Sequence, residues 1–394
     1  MRKSLYVTMF ALLVAALVLT ACAQTATPTA TVAPATEVPV ATTVPTVAPT
    51  ATLAPGSVQV NAGGATFPLP LYQQWTYAYQ YVDPSVVINY QGTGSGAGKS
   101  GILDGTLDFA GSDSILSADQ YTQGKDLQMY PMVASAVVPV YNLVPAKAVP
   151  TGTTLPALVL DGQTLVDIYN AKVNTWNDPE IAKLNPGWDG YLPTSKITVV
   201  HRSDGSGTTE IFTNALTAFS ADWTAGHGQS VTWPVDKAGS GIGGAKNQGV
   251  AAAVVNTPNS IGYVELAYAN SNGMSKVSLV NKAGKTVVAN GASIASAMTD
   301  FATAFDAHLN AVIVNGAGDG SWPITGYTYI ILHTTSMTDC AKASKIVEYL
   351  NWALTDPTAA KAAATLGYSV LPTSIRDTVL AKLAEVTCNG QPVK

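Results

Sequence analysis

Beyond residue 57 the apolar positions alternate between two periods. Val58-Gln-Val-Asn, with every second residue apolar, predicts a short strand, and Gly63-Gly64 predicts a tight turn. Residues 68–82 carry Leu71, Trp75, Ala78, Tyr79 and Val82 at helical spacing. Val86-Val-Ile-Asn-Tyr is a β-branched run and predicts a second strand. A glycine-rich loop follows, then a helix carrying Ile102 and Leu103, then a strand at Leu107–Gly111. Strand, helix, strand, helix, strand is the signature of a parallel α/β lobe. Further along, Met132–Tyr141 predicts an apolar strand and Leu165–Tyr169 a helix. Ile197–His201 predicts a strand that leads through another glycine-rich loop into a helix from about Thr208. Ser260-Ile-Gly-Tyr-Val and Tyr327–His333 are strand-like, while Lys342–Leu354 and Asp377–Glu385 are helical. Trp75, Tyr79 and Trp352 sit at core spacing, Trp233 and Trp322 each precede Pro and are expected to pack, and Lys342, Lys345 and Glu348 read as a solvated helix face. No internal sequence repeat stands out.

The first 57 residues differ from everything after them. Arg2 and Lys3 precede an apolar stretch from Leu5 to Leu19, broken only by Thr8, which is short for a membrane span and suits an export signal. Leu19-Thr-Ala-Cys22 resembles the bacterial lipoprotein processing box, which implies residues 1–21 as a signal peptide and Cys22 as the site of lipid attachment. An ordinary signal cleaved nearby, or an uncleaved anchor, is the alternative. On each reading the remainder lies outside the cytoplasm; on the first it is lipid-anchored to the cell membrane. Residues 22–57 then form a stalk: positions 23–57 hold ten Thr, nine Ala and six Pro. Such a tract buries no core and favours extended conformations, reaching roughly 100 Å at about 3.1 Å per residue. It is either an O-glycosylated stalk or a plain spacer.

Residues 58–394 are left to fold, more than a single core usually holds, so two lobes are expected. Charged residues are only 11% of the chain and the formal net charge is −5, with no basic patch for a nucleic acid. Any anion must therefore be held by local geometry against the overall field. With Cys22 assigned to lipid, Cys340 and Cys388 remain, and an oxidising compartment favours a disulfide between them over two free buried thiols. His201, His227, His308 and His333 are scattered without ligand spacing, so no metal and no cofactor is expected.

Three polar loops share one chemistry. Gly63-Gly-Ala-Thr66-Phe67-Pro68, Gly92-Thr-Gly-Ser95-Gly-Ala-Gly98 and Arg202-Ser-Asp204-Gly-Ser206-Gly207-Thr208 each precede a predicted helix. Backbone N–H groups at a positive helix end, hydroxyls, and glycines that allow close approach suit a dehydrated oxyanion. Two competing readings fail on spacing. Gly-Ser-Gly-Ala-Gly-Lys99-Ser100 resembles a Walker A loop, with Leu158-Val-Leu-Asp161 as its strand, but Thr93 stands where the first Gly belongs. Ser206 lacks the hydrolase elbow, since Asp204 replaces its first Gly, and the nearby His201 belongs to a strand whose neighbours face opposite ways.

The segments Ala62-Gly-Gly-Ala-Thr-Phe-Pro, Asn89-Tyr-Gln-Gly-Thr-Gly-Ser-Gly, Asp108-Phe-Ala-Gly-Ser-Asp, Val200-His-Arg-Ser-Asp-Gly-Ser-Gly-Thr-Thr, Val231-Thr-Trp-Pro and Ser260-Ile-Gly-Tyr-Val-Glu jointly resemble the phosphate-binding proteins of bacterial phosphate ABC importers. The resemblance spans about residues 58–394. It implies an α/β, two-lobed type II periplasmic-binding-protein fold, each lobe a mixed sheet flanked by helices, with inorganic phosphate in the cleft. Lobe 1 would comprise 58–140 and 327–394, and lobe 2 141–326. Residue by residue, it implies phosphate contacts from Thr66, Phe67, Ser95 and Asp113 on one side and Arg202, Ser206, Gly207 and Thr208 on the other, with Asp204 positioning Arg202. The partners it implies are the transmembrane subunits of an ABC permease, with the binding protein a monomer and no catalysis. Gly96 departs from the many relatives that have a second Ser there. A sensor or adhesin, a phosphoester hydrolase in the same cleft, or a binder of another oxoanion are the alternatives.

Asp113 is chemically the most telling residue. Alone, Asp between Ser112 and Ser114 reads as a helix N-cap, and Arg202 as half of a surface ion pair. In an anion site, however, a carboxylate only accepts hydrogen bonds. It would repel fully ionised sulfate and welcome phosphate, which keeps a proton to donate near neutral pH.

Overall fold

The computed structural model describes residues 56–393, so the expected signal peptide, Cys22 and nearly all of the stalk lie outside the described residues. Eight strands form the main path of a mixed sheet: β1 (Val58–Gly64), β2 (Val86–Gln91), β3 (Phe109–Ser112), β4 (Leu127–Asn142), β5 (Thr198–Arg202), β6 (Gly241–Gly244), β7 (Ser260–Glu265) and β8 (Thr325–His333). Their order is β2-β1-β3-β8-β4-β7-β5-β6, and two-residue strands at 275–276 and 369–370 also pair with β4.

The strand β4 joins the two halves of this sheet. Its residues from Leu127 to Tyr141 are all buried, which accounts for its near-continuous apolar sequence. Leu127–Ala136 pairs antiparallel with β8, and Val137–Asn142 pairs antiparallel with β7. On either side of it the chain builds the same plan. β1 lies between β2 and β3, parallel to both, and β5 lies between β6 and β7, again parallel to both. A topological repeat is therefore present where the sequence has none. Most of these parallel strands lead through a short loop into a helix, so the polar loops gather at strand C-terminal ends, where open α/β sheets bind ligands.

Helix α1 (Leu69–Val82) buries Leu71, Trp75 and Tyr79 as the spacing predicts, together with Tyr72, whereas Ala78 is half-buried and Val82, at the end of the helix, is exposed. Trp75 also donates its indole N–H to the Ala359 carbonyl at 2.9 Å. Several sequence expectations need correction. Gly63-Gly64 is not a turn but the end of β1. Gly64 has φ +131, and a Cβ there would lie 2.1 Å from the Gly111 carbonyl oxygen. The third strand starts at Phe109, because Asp108 instead accepts the Asn61 N–H at 2.7 Å and turns toward Lys342. The last helix runs Thr373–Leu383, earlier than expected.

The supposed solvated face of the helix Cys340–Thr355 is also a docking face. Lys342 pairs with Asp108 at 2.9 Å, and Lys345 with Asp83 at 2.8 Å and Glu348 at 2.9 Å. These half-exposed pairs fix orientation more than they add stability. Trp233 stacks on the His201 ring with centroids 5.0 Å apart, and Trp322 donates to the Val137 carbonyl at 3.0 Å. Cys340 and Cys388 form a disulfide with Cα atoms 5.4 Å apart, tying the start of that helix to the C-terminal hairpin.

Candidate functional site

Thr66, Phe67, Ser95, Asp113, Arg202, Ser206 and Thr208 are all buried, and the loops that carry them meet. The turn holding Thr66 and Phe67 joins β1 to α1. Tyr268 donates to the Thr66 carbonyl at 2.6 Å and Tyr368 to the Phe67 carbonyl at 2.7 Å, so neither oxygen is left to face an anion. Ser95 opens the helix α2 (Ser95–Leu103) after the glycine loop, and Gly207 opens α3 (Gly207–Phe219) after the Arg202 loop. The Ser95 hydroxyl joins the two: its oxygen accepts the Gly207 N–H at 3.2 Å and the Asp113 N–H at 3.3 Å, and it donates to Asp113 Oδ2 at 3.3 Å.

Asp113 caps no helix, since the helix after it begins at Ala118 and is capped by Ser117. Thr328, from the middle of β8, donates to its Oδ1 at 2.8 Å. Burial pushes Asp113 up to about 7, against the pull of the Thr328 hydrogen bond, the Arg202 charge and the Ser95 hydroxyl. Held by Thr328 and Ser95 in the middle of a donor-rich site, the carboxyl is placed to accept a further hydrogen bond.

Arg202 is only 5% exposed and is not part of a surface pair. Its Nε and Nη2 donate in parallel to Asp204 Oδ1 at 2.8 Å and Oδ2 at 2.7 Å, and Nη1 reaches Thr208 Oγ1 at 3.4 Å. Burial alone would raise Asp204, but the hydrogen bonds and charge of Arg202, with the Lys246 N–H at 2.9 Å, hold it at about 2. The fork is thus braced along one edge by Asp204, and beyond the Thr208 contact it has further Nη N–H groups to donate. Ser206 accepts the Thr209 N–H at 3.1 Å as N-cap of α3, so its hydroxyl hydrogen is not used by that bond.

Two residues that the sequence reading passed over complete the arrangement. Lys246 and Asn247 open α4 (Lys246–Asn256) directly after β6. Lys246 has φ +63, and its Nζ contacts Asp204 and the Thr93 carbonyl of the opposite loop. Asn247 donates its side-chain amide to Thr66 Oγ1 at 3.0 Å and Thr208 Oγ1 at 3.2 Å. Gly96, the position without a hydroxyl, donates its N–H to the Gly205 carbonyl at 3.2 Å, and a Cβ on it would sit 3.3 Å from Gly205 Cα.

The competing chemistries find no support. Lys99 is buried and donates to Ser114 Oγ at 2.7 Å and the Ile115 carbonyl at 3.0 Å, so it serves the loop below Asp113. His201 uses Nε2 with Asp236 Oδ1 at 2.8 Å and Nδ1 with the Arg202 carbonyl at 3.0 Å, leaving neither nitrogen for Ser206. Among the described residues, no group of three or more His, Cys, Asp and Glu could hold a metal ion. What converges is a set of neutral donors, one guanidinium and one acceptor, a set that fits a small tetrahedral oxyanion still carrying a hydrogen.

Comparison with known proteins points the same way. The profile of the PBP superfamily domain matches residues 49–357. The phosphate-binding protein PstS of Pasteurella multocida is 39% identical over 327 residues, covering 82% of this chain and 89% of its own. That of Methanocaldococcus jannaschii is 33% identical over 316 residues, covering 76% and 79%. Among solved structures, a high-affinity periplasmic phosphate-binding protein (PfluDING) bound with phosphate superposes with a TM-score of 0.65 at 23% identity, covering 82% of this chain and 93% of that one. A human phosphate-binding apolipoprotein superposes with a TM-score of 0.66 at 21% identity, covering 84% and 99%. At such identities these likenesses show the fold, which is that of the type II periplasmic-binding proteins.

Proposed function

The chain belongs to the phosphate-binding proteins of the periplasmic-binding-protein superfamily, and from that membership we propose that it captures inorganic phosphate outside the cytoplasm and delivers it to an ABC-type permease. Binding, not catalysis, is the activity, as in these relatives. The observation that carries this reading is Asp113: one buried acceptor, braced by Thr328, among donors from both loop sets. The ligand contacts are proposed to be the Thr66 and Phe67 turn, Ser95, Asp113, Arg202, Ser206, Gly207 and Thr208, with Asp204 holding Arg202. Lobe 1 is proposed as 58–140 with 327–394 and lobe 2 as 141–326, closing about the crossings near β4 and β8. Residues 1–21 and Cys22 are proposed to supply export and a lipid anchor, residues 22–57 the stalk, and the binding protein to act as a monomer. No observation favours a sensor, an adhesin or a hydrolase.

Titration calorimetry with phosphate, arsenate and sulfate at pH 8 tests the reading. Phosphate is expected to bind with saturable heat and sulfate to give none; absence of heat with phosphate overturns the proposal.

Gly207 offers a test of closure. A Cβ there would stand 2.6 Å from Asp113 Cβ and 2.7 Å from the Asp113 backbone carbonyl carbon, atoms fixed by the backbone that cannot swing away. Gly207→Ala is therefore expected to wedge the loops apart and weaken phosphate binding roughly 5- to 150-fold, the span of typical overpacking costs. The unfolding midpoint without ligand should change little, because the open form relieves the clash. Unaltered affinity would show that these loops do not need to meet for binding.

A further inference from the structure

Asn247 is not itself in the proposed ligand set, yet it is fully buried between two hydroxyls that do belong to it. Its amide orientation is fixed, because its Oδ1 accepts the Glu265 N–H at 3.0 Å. Both hydrogens of Nδ2 must then point the other way, one to Thr66 Oγ1 at 3.0 Å and one to Thr208 Oγ1 at 3.2 Å. Each threonine oxygen also receives a second donor: the Asn247 backbone N–H at 3.4 Å for Thr66, and Arg202 Nη1 at 3.4 Å for Thr208. A hydroxyl has two acceptor positions and one hydrogen to give. With both acceptor positions occupied, each threonine is left with donation alone.

Resting on the phosphate reading above, we propose that Asn247 is a positioning residue that sets the hydrogen-bond polarity of Thr66 and Thr208, making both obligate donors to the anion. Free hydroxyls choose between donating and accepting; held this way they are committed before the ligand arrives, which lowers the reorganisation that binding requires. The same bonds span the cleft, since Thr66 follows β1 while Thr208 and Asn247 follow β5 and β6. The placement agrees with the repeated topology. Asn247 lies in the first turn of the helix after β6, as Ser95 lies in the first turn of the helix after β2, each strand being the outer neighbour of the first strand in its half. The two halves thus offer the site one polar side chain from corresponding junctions. Ser95 acts on Asp113 and Gly207, Asn247 on the two threonines.

The proposal is tested by a double-mutant cycle on the full chain with phosphate as titrant. Asn247→Leu in the otherwise native protein is expected to weaken binding about tenfold to a hundredfold. In a background carrying Thr66→Val and Thr208→Val, which has no hydroxyls left to orient, the same substitution is expected to change affinity less than about threefold. A merely structural role predicts the same loss in both backgrounds, and that result overturns the proposal. Sub-ångström or neutron diffraction of the native protein with phosphate supplies a readout independent of any variant's folding. The Thr66 and Thr208 hydroxyl hydrogens are expected on the lines to phosphate oxygens; hydrogens lying toward Asn247 overturn the proposal. Native protein that gives no heat with phosphate overturns the functional reading and this one with it, whereas heat without coupling overturns only the role of Asn247.

Discussion

Arg202→Ala is expected to cost roughly 30- to 5,000-fold in phosphate affinity, the range seen when one partner of a buried charge pair is truncated. Two losses act together. The ligand loses the one permanent positive charge at its centre, and Asp204 loses the fork that satisfies both of its oxygens at 2.8 and 2.7 Å. The abandoned carboxylate would keep only the Lys246 amide and ammonium, so a second anion would be brought beside it. Arg202→Lys separates the terms: it retains charge but cannot brace two oxygens in parallel, and is expected to fall between the native protein and Arg202→Ala. Calorimetry at matched salt measures all three. Near-native affinity of Arg202→Ala would show that the guanidinium serves only to hold Asp204 and its loop.

The parts of this site that were legible in the sequence are those whose chemistry is local. A glycine-rich turn between a β-branched run and a helical period announces a helix end with free N–H groups, and three such turns held Thr66, Ser95 and Arg202. Polar residues on quiet segments were not legible. Thr328 lies in a strand rich in aromatic and β-branched residues, and nothing in Tyr327–His333 distinguishes its hydroxyl from ordinary β-propensity until β8 is paired next to β3. Asn247 was hidden for a related reason. The strand before it is Gly-Ile-Gly-Gly, which has no alternating pattern and lies in parallel register with Val199–Arg202. Glycine is required there by packing: a Cβ on Gly244 would meet the Val250 backbone nitrogen at 2.7 Å. The helix docks so tightly on the strand that it erased the sequence signal for both, and with it the signal for the residue at their junction. Lys342, Lys345 and Glu348 show the converse case, where a helix face that looks solvated is tied down by carboxylates, Asp108 and Asp83, far away in sequence.

Asp113→Asn is expected to remove discrimination against sulfate, a change of up to about 10⁴ by comparison with other sites that read a single hydrogen. The direction follows from proton counting. Burial in this conformation pushes Asp113 up to about 7, whereas a solvated carboxyl has its ordinary value near 4, to which an open cleft is expected to return it. Phosphate brings a hydrogen and can donate it to an ionised Asp113. Sulfate brings none, so the closed complex must either leave two acceptors facing each other or take a proton from solvent. Proton uptake on binding makes affinity rise as pH falls, by as much as about tenfold per unit where Asp113 is ionised in the open form. Sulfate binding to the native protein is therefore expected to strengthen from pH 8 toward pH 5 and to level off near the ordinary carboxylate range. In Asp113→Asn the Thr328 hydroxyl continues to donate to the side-chain oxygen, which turns the new NH₂ to the position of Oδ2, toward Ser95 and the ligand. A donor then stands where the acceptor stood. Sulfate is expected to bind at pH 8 with little pH dependence, while phosphate loses its acceptor and weakens. Calorimetry of both ions between pH 5 and 8 provides the check: a native sulfate affinity that is flat with pH, together with unchanged selectivity in Asp113→Asn, would show that the carboxyl does not read the hydrogen.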